Sequence, residues 1–527
     1  MSVRLLLLYG VSFLILYSCD VFDAGSQQAG ETYYVSLQGD DANPGTKAKP
    51  WKSISKINES DFQPRSEILF EGGAVFKGNI KLNQSESDMP VDNMTISSFG
   101  EGRATIDAEN GLALSVVNGS KLTIKQLNFK GSGRKKGNTN NGVHLINCDS
   151  LNISHLEVSG FQHSGLLVQK SNAASITHVH AHDNGFSGIL VTGKSMNHPL
   201  NYDNTNLYIG YCIAENNPGD PTVLTNHSGN GILAASVDGG IIEHCEAFNN
   251  GWDMPWHDNG PVGIWIYDCN DITMQYNISH DNKTAKGAED GGGFDFDGGV
   301  SNSVMQYNIS YNNEGPGIGL FEYGAAKTWK NNVVRFNLSV DDGITTQGAL
   351  RIWKAEGKGE MYGCDIYNNT IINNNKGNYA VGILTNVPGI RLFNNIFVYD
   401  EEFIWFENDF GTERFLGNLY WDIGKQNTFL GFPSFEHWAK STGHEMKENQ
   451  VLGLLADPGL NQNISDPPKL FTEFLTLFYP LLGAPGIDHG LRLDTLMSDK
   501  KIGFDLAGNA IPSGTQIDIG AIEFQVE

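Results

Sequence analysis

Eight short segments of the chain repeat one arrangement of apolar and polar positions. Each opens on Gly or Ala: residues 165–169, 188–192, 231–235, 263–267, 293–297, 317–321, 349–353 and 382–386. Side chains alternate faces along a strand, so the first and third residues after the Gly or Ala share one side. That side is almost wholly apolar and predicts a buried face. The opposite side is bland in the early copies. It becomes Trp265 and Tyr267, then Asp295 and Asp297, then Arg351 and Trp353, before turning bland again. A structural repeat alone gives no reason for that change.

A second strand follows each segment and carries a polar stop. Aligning these strands places Asn277, Asn308, Asn337, Asn369 and Asn395 at one position, 26 to 32 residues apart, with Val179, Cys212 and Cys245 there in earlier coils. Self-similarity at this period marks a solenoid. Strands and turns without helical periodicity make it a β-solenoid. Stacked Asn side chains can bond turn backbone and one another along the axis. Cys212 and Cys245 would sit one strand spacing apart, about 4.8 Å, as stacked core thiols or, alternatively, as a disulfide. The coils run roughly from 101 to 400. Loops at about 194–222, 252–261 and 283–291 enter just ahead of the strands at 231, 263 and 293 and are placed to wall one side of the polar patch.

The ends and composition add a compartment and remove some partners. Arg4 precedes an apolar run from Leu5 to Tyr17, too short to span a bilayer, and Leu16-Tyr-Ser-Cys19 resembles a bacterial lipobox. The resemblance implies a signal peptide over 1–19, acylation of Cys19, a tether over 20–30, and a protein exported and anchored to the outer membrane of a Gram-negative cell. Membrane contact is then through the lipid alone. A net charge of −25 argues against a nucleic-acid partner, which needs a basic footprint. Five Cys besides Cys19 give no disulfide framework and no zinc spacing. A monomer is expected.

Several local motifs resemble those of the right-handed parallel β-helix group that includes pectate lyases, alginate lyases, chondroitinase B and polygalacturonases. They are Tyr33-Tyr-Val-Ser, Gly39-Asp-Asp-Ala-Asn-Pro-Gly-Thr46 and Pro50-Trp51 at the start, with Phe504–Asn509 and Asp518–Glu523 at the end. The resemblance implies an all-β, single-stranded right-handed parallel β-helix, with an N-terminal cap and first coils over 31–100 and a capping region over 401–527. Such caps protect terminal edges. Arg351-Ile-Trp-Lys354 resembles the Arg-Ile-Lys element with which polygalacturonases grip a carboxylate. Their Asn-Thr-Asp, Asp-Asp and Gly-His-Gly elements are absent here.

The outward residues then suggest a carbohydrate site: Trp265, Tyr267, Phe321, Tyr323 and Trp353 as stacking groups, beside acids and bases that fix orientation. Catalytic candidates are Asp295, Asp297, Glu322, Arg351, Lys354 and His257. Close carboxyls repel, which raises one proton affinity and creates an acid/base pair. Equally, Asp290, Asp295 and Asp297 could form a calcium site; no other cofactor is expected. The favoured reading is β-elimination on an acidic, uronic-acid-containing glycan by a lyase or oligosaccharide dehydratase. There Arg351 or Ca²⁺ neutralises the sugar carboxylate, and Lys354, His257 or Tyr267 takes the proton. The alternatives are a glycoside hydrolase using two carboxyls among Asp295, Asp297 and Glu322, and a non-catalytic glycan-binding protein.

Overall fold

The computed structural model describes residues 30–85, 91–193, 201–324, 326–345, 348–355, 359–406, 411–424, 428–460, 475–493 and 502–525. The leader and Cys19 lie outside these residues. The chain winds as a right-handed parallel β-helix, with strands of successive coils paired in parallel register from Thr32 to Leu455. Each of the middle coils has three faces. The face carrying the Gly-led segments runs through Ser187–Thr192, Asn230–Glu243, Val262–Gln275, Gly292–Phe296, Ile318–Glu322, Leu350–Lys354 and Val381–Ile383.

The apolar positions face inward as the alternation predicts. Ile232, Ile264, Phe294, Ile318, Leu350 and Val381 form one buried column, and Ala234, Ile266, Phe296, Leu320, Ile352 and Ile383 another. No coil could bury that face alone, so the stack is held by neighbour contacts.

The second strand is two strands, not one. Tyr276 takes a left-handed conformation (φ 54°) between Met274 and Ile278, and Tyr307, Phe336 and Asn368 repeat that corner. The Asn that follows each corner is turned into the core. Asn277 Nδ2 donates to Asn308 Oδ1 (3.0 Å), Asn308 to Asn337 (2.9 Å), Asn337 to Asn369 (2.9 Å), Asn369 to Asn395 (3.0 Å) and Asn395 to Asn418 (2.9 Å). The ladder closes on Glu445 (2.7 Å). A second ladder, not anticipated, joins Asn184, Asn217, Asn250, Asn282 and Asn313, and ends on Asp342 (2.8 Å). It too repeats about once per coil, so the same periodic alignment would have exposed it. Cys212 and Cys245 are buried free thiols, so the stacked-thiol alternative holds.

At the N-terminal end, α1 (Ile54–Asn58) puts Ile54 and Ile57 into the core beside Trp51. Near the other end, α2 (Phe435–Thr442) buries Phe435, Trp438 and Ala439 against Tyr420. The closing motifs serve differently from the expected end cap. Ile517, Ile519 and Ala521 pack in a flanking cluster with Phe336, Tyr367 and Phe393, and Asn368 Nδ2 donates to the carbonyls of Asp518 and Gly520 (2.8 and 3.0 Å). That segment braces the side of the stack.

Candidate active site

Two outward columns form the floor of a cleft of about 730 Å³. Parallel register places Leu233, Trp265, Asp295, Gly319, Arg351 and Gly382 on successive coils. Beside them stand Tyr267, Asp297, Phe321 and Trp353, all lining the cleft. Two of the three expected loops supply walls, Asp258, Asn259 and Gly260 from one and Glu289 and Asp290 from the next; Asn226 and His227, just past the 194–222 loop, line it where that loop was expected. The 252–261 and 283–291 loops are clasped backbone to backbone, Glu289 N–H donating to Asp258 O at 2.7 Å.

Asp295 is 3% exposed and its Oδ1 has no hydrogen-bond partner among the described residues. Burial, then the charges of Asp297 and Asp290, pushes its proton affinity well above the usual carboxylate range. Asp297 is half-buried. Burial raises it to about 7, against the backbone N–H of Gly298. Burial also raises Asp290 to about 6, opposed by Arg351 and by the Gly260 N–H (3.2 Å). Three carboxyls in one cleft are therefore all raised, Asp290 to about 6 and Asp297 to about 7, and titrate as a set.

The other candidates fall differently. Arg351 lines the cleft, but its Nη1 is paired with Glu289. It is therefore engaged before any sugar carboxylate arrives. Lys354, Glu322 and His257 are not lining residues. Glu322 is buried behind the floor, where Oε2 accepts from Gly299 N–H (3.0 Å) and braces the turn after Asp297. Burial raises it to about 8. Lys354 is paired in register with Glu322 at the strand end, one position past the column. His257 sits at an exposed loop, its Nδ1 against Lys286 O (3.2 Å). Glu322 and Lys354 lie one step past the outward columns, where alternation turns them away from the floor, and His257 stays in the loop ahead of the Trp265 strand.

Trp265 is also altered. It is 4% exposed, packed on Leu233 and Val262, and its Nε1 donates to Asn230 Oδ1 (3.1 Å). It is a closed part of the floor, while the half-buried Tyr267, Tyr323 and Trp353 offer ring surface. His227, which the repeat does not single out, also lines the cleft; it meets Trp265 edge-on (5.0 Å), and burial lowers it to about 4, so it stands neutral. Among the described residues no three His, Cys, Asp or Glu side chains form a metal-binding group.

The family model described as "Right handed beta helix region" matches residues 80–413. The chain belongs to that family. A lacto-N-biosidase of Bifidobacterium longum subsp. longum is 24% identical to it over 95% of this chain and 37% of that protein. The chain thus spans little more than a third of that relative's length. Among solved structures, a GH136 lacto-N-biosidase from Eubacterium ramulus is 19% identical over 71% of this chain and 68% of the other, with a TM-score of 0.43. The A-module of a mannuronan C-5 epimerase from Azotobacter vinelandii is 14% identical over 72% of this chain and 98% of the other, with a TM-score of 0.48.

Proposed function

We propose that the protein is a glycoside hydrolase acting on a neutral oligosaccharide. The observation that carries this reading is the set of three cleft carboxyls with graded proton affinities. Hydrolysis needs one carboxyl that keeps its proton and one that has lost it. At neutral pH Asp290 is the ionised member and Asp297 holds a proton part of the time. Asp297 then protonates the glycosidic oxygen, and Asp290 attacks the anomeric carbon or activates water. Asp295, raised by burial and by its neighbours, is placed to donate a hydrogen bond when it holds a proton. Tyr267 and Trp353 stack on the sugar faces. The curated relative in Bifidobacterium longum, a lacto-N-biosidase, supports hydrolysis and a glycan cut into oligosaccharide units.

Elimination is less well served. It needs a free cation for the uronate carboxylate and a base at the neighbouring C–H. Arg351 is committed to Glu289, and neither Lys354 nor His257 lines the cleft. Asp258, Glu289 and Asp290 line the cleft with that one Arg, so the net field disfavours an acidic glycan.

Incubation with neutral oligosaccharides, including lacto-N-biose-capped ones, should release reducing ends without unsaturated uronate. Pectic and alginate fragments should remain intact. Unsaturated uronate from those fragments would return the reading to elimination. The anomer first released, read by NMR, assigns Asp290 as nucleophile or as base.

A further inference from the structure

Arg351 carries the positive charge of the cleft, yet its Nη1 is already paired in the unliganded protein. It is 7% exposed, rises from the floor strand Leu350–Lys354, and reaches Glu289, 62 residues earlier in the chain. Glu289 immediately precedes Asp290. The backbone of this wall segment is gripped from two sides. Glu289 N–H donates to Asp258 O (2.7 Å), Thr284 Oγ1 donates to Glu289 O (3.0 Å), and Gly315 N–H donates to Gly291 O (3.0 Å). The approach is close: a Cβ on Gly315 would lie 2.2 Å from Asp290 O, and one on Gly260 2.3 Å from Glu289 O. Those bonds tie wall to wall. The Arg351–Glu289 pair ties wall to floor, and the floor is where Asp295 and Asp297 stand.

We propose that Arg351 is a positioning residue. Through Glu289 it fastens the wall segment that carries Asp290 to the cleft floor, and so fixes Asp290 relative to Asp297. The inference rests on the hydrolase reading for its catalytic consequence, but the strap itself is a property of the unliganded protein. A buried guanidinium held by a carboxylate at its outer end is suited to this, because the planar fork loses little freedom on pairing. An Asp290 displaced by about 1 Å would cost up to ~100-fold in turnover.

The test uses Arg351→Met, Glu289→Gln and the double variant in the full chain. Glu289 is half-exposed on its side chain, so Glu289→Gln leaves packing intact and keeps the test valid if Arg351→Met misfolds. Amide hydrogen exchange across 283–291, without substrate, should accelerate by about 10-fold or more in both single variants. The double variant should go no further, because one interaction has been cut twice. Turnover should fall in the same non-additive way, with the acid limb of the pH profile moved upward in Arg351→Met, whose charge otherwise holds Asp290 down, and Arg351→Lys recovering part of the loss. Unchanged exchange in Glu289→Gln overturns the strap, whatever the activity. So does loss of turnover in Arg351→Met alone, which would put Arg351 on the substrate. If no glycan is turned over, the hydrolase reading fails while exchange still decides the strap.

Discussion

Asp295 and Gly319 are partners on adjacent coils, and a Cβ on Gly319 would lie 3.0 Å from Asp295 Oδ1 and 2.8 Å from the Phe321 ring. The missing side chain leaves a notch in the floor between Asp295 and Arg351, which are two coils or about 9.6 Å apart along the axis. Gly319→Ala should therefore fold, since Gly319 lies in a strand outside the left-handed region. It should raise KM and lower turnover by about 10-fold or more through a shifted Asp295. Steady-state kinetics together with an unchanged Tm would establish this.

Asp297→Asn should lower turnover by about 10²–10⁴-fold, the usual contribution of one acid/base group. The same change at Glu322 should act through the Gly299 turn and cost far less. Comparing kcat for the two variants on one oligosaccharide separates the proton donor from its brace.

The pH–rate profile should be a narrow bell. Its acid limb follows Asp290, raised to about 6, and its alkaline limb follows Asp297, raised to about 7. Since the carboxyls titrate together, the limbs belong to the set. Asp290→Asn should remove the acid limb and most of the rate.

Stability should run the opposite way from that of an ordinary salt-bridged acid. Asp290, Asp295 and Asp297 bind protons more tightly folded than at their ordinary value of 3.8. Their contribution is thus fully present below about pH 4, and the share of Asp290 and Asp297 is lost as pH rises through 6–7. Asp295→Asn should raise Tm at pH 8 by on the order of 2–4 °C and leave it nearly unchanged at pH 4. Calorimetry at the two pH values checks the sign.

Asn308→Ala should destabilise without touching the cleft. It removes the Nδ2 bonds to Met274 O and Asn337 Oδ1 and the acceptor for Asn277 (2.9, 2.9 and 3.0 Å), leaving buried groups unpaired. A loss of about 1–3 kcal/mol per stranded group is expected, read by urea unfolding, with activity of the folded fraction preserved.

The columns were legible because a strand has one rule for direction and the register repeats it. Trp265, Asp295 and Arg351, with Tyr267, Asp297, Phe321 and Trp353, lie together as alternation places them. The loops obey no such rule. Nothing in the spacing of Glu289 and Arg351 announces their pairing, so an Arg poised for a ligand was expected where an internal tie stands. The corner at Tyr276 was hidden by side chains that favour strands. Lys354 sits at the end of its strand, one step off the outward column, and His257 sits in a loop whose path no alternation rule predicts, so neither reaches the cleft.

The two buried amide ladders have a sense. Every Asn hands its hydrogen bond toward the next coil, and the last acceptors, Asp342 and Glu445, are carboxyls that need pass nothing on. The stack is thus built like a sentence with a full stop. A whole coil could be inserted or lost ahead of either terminator without breaking the chain of bonds, whereas the four coils from Trp265 to Trp353 must stay consecutive. Length is free to drift; the cassette that holds the chemistry is not.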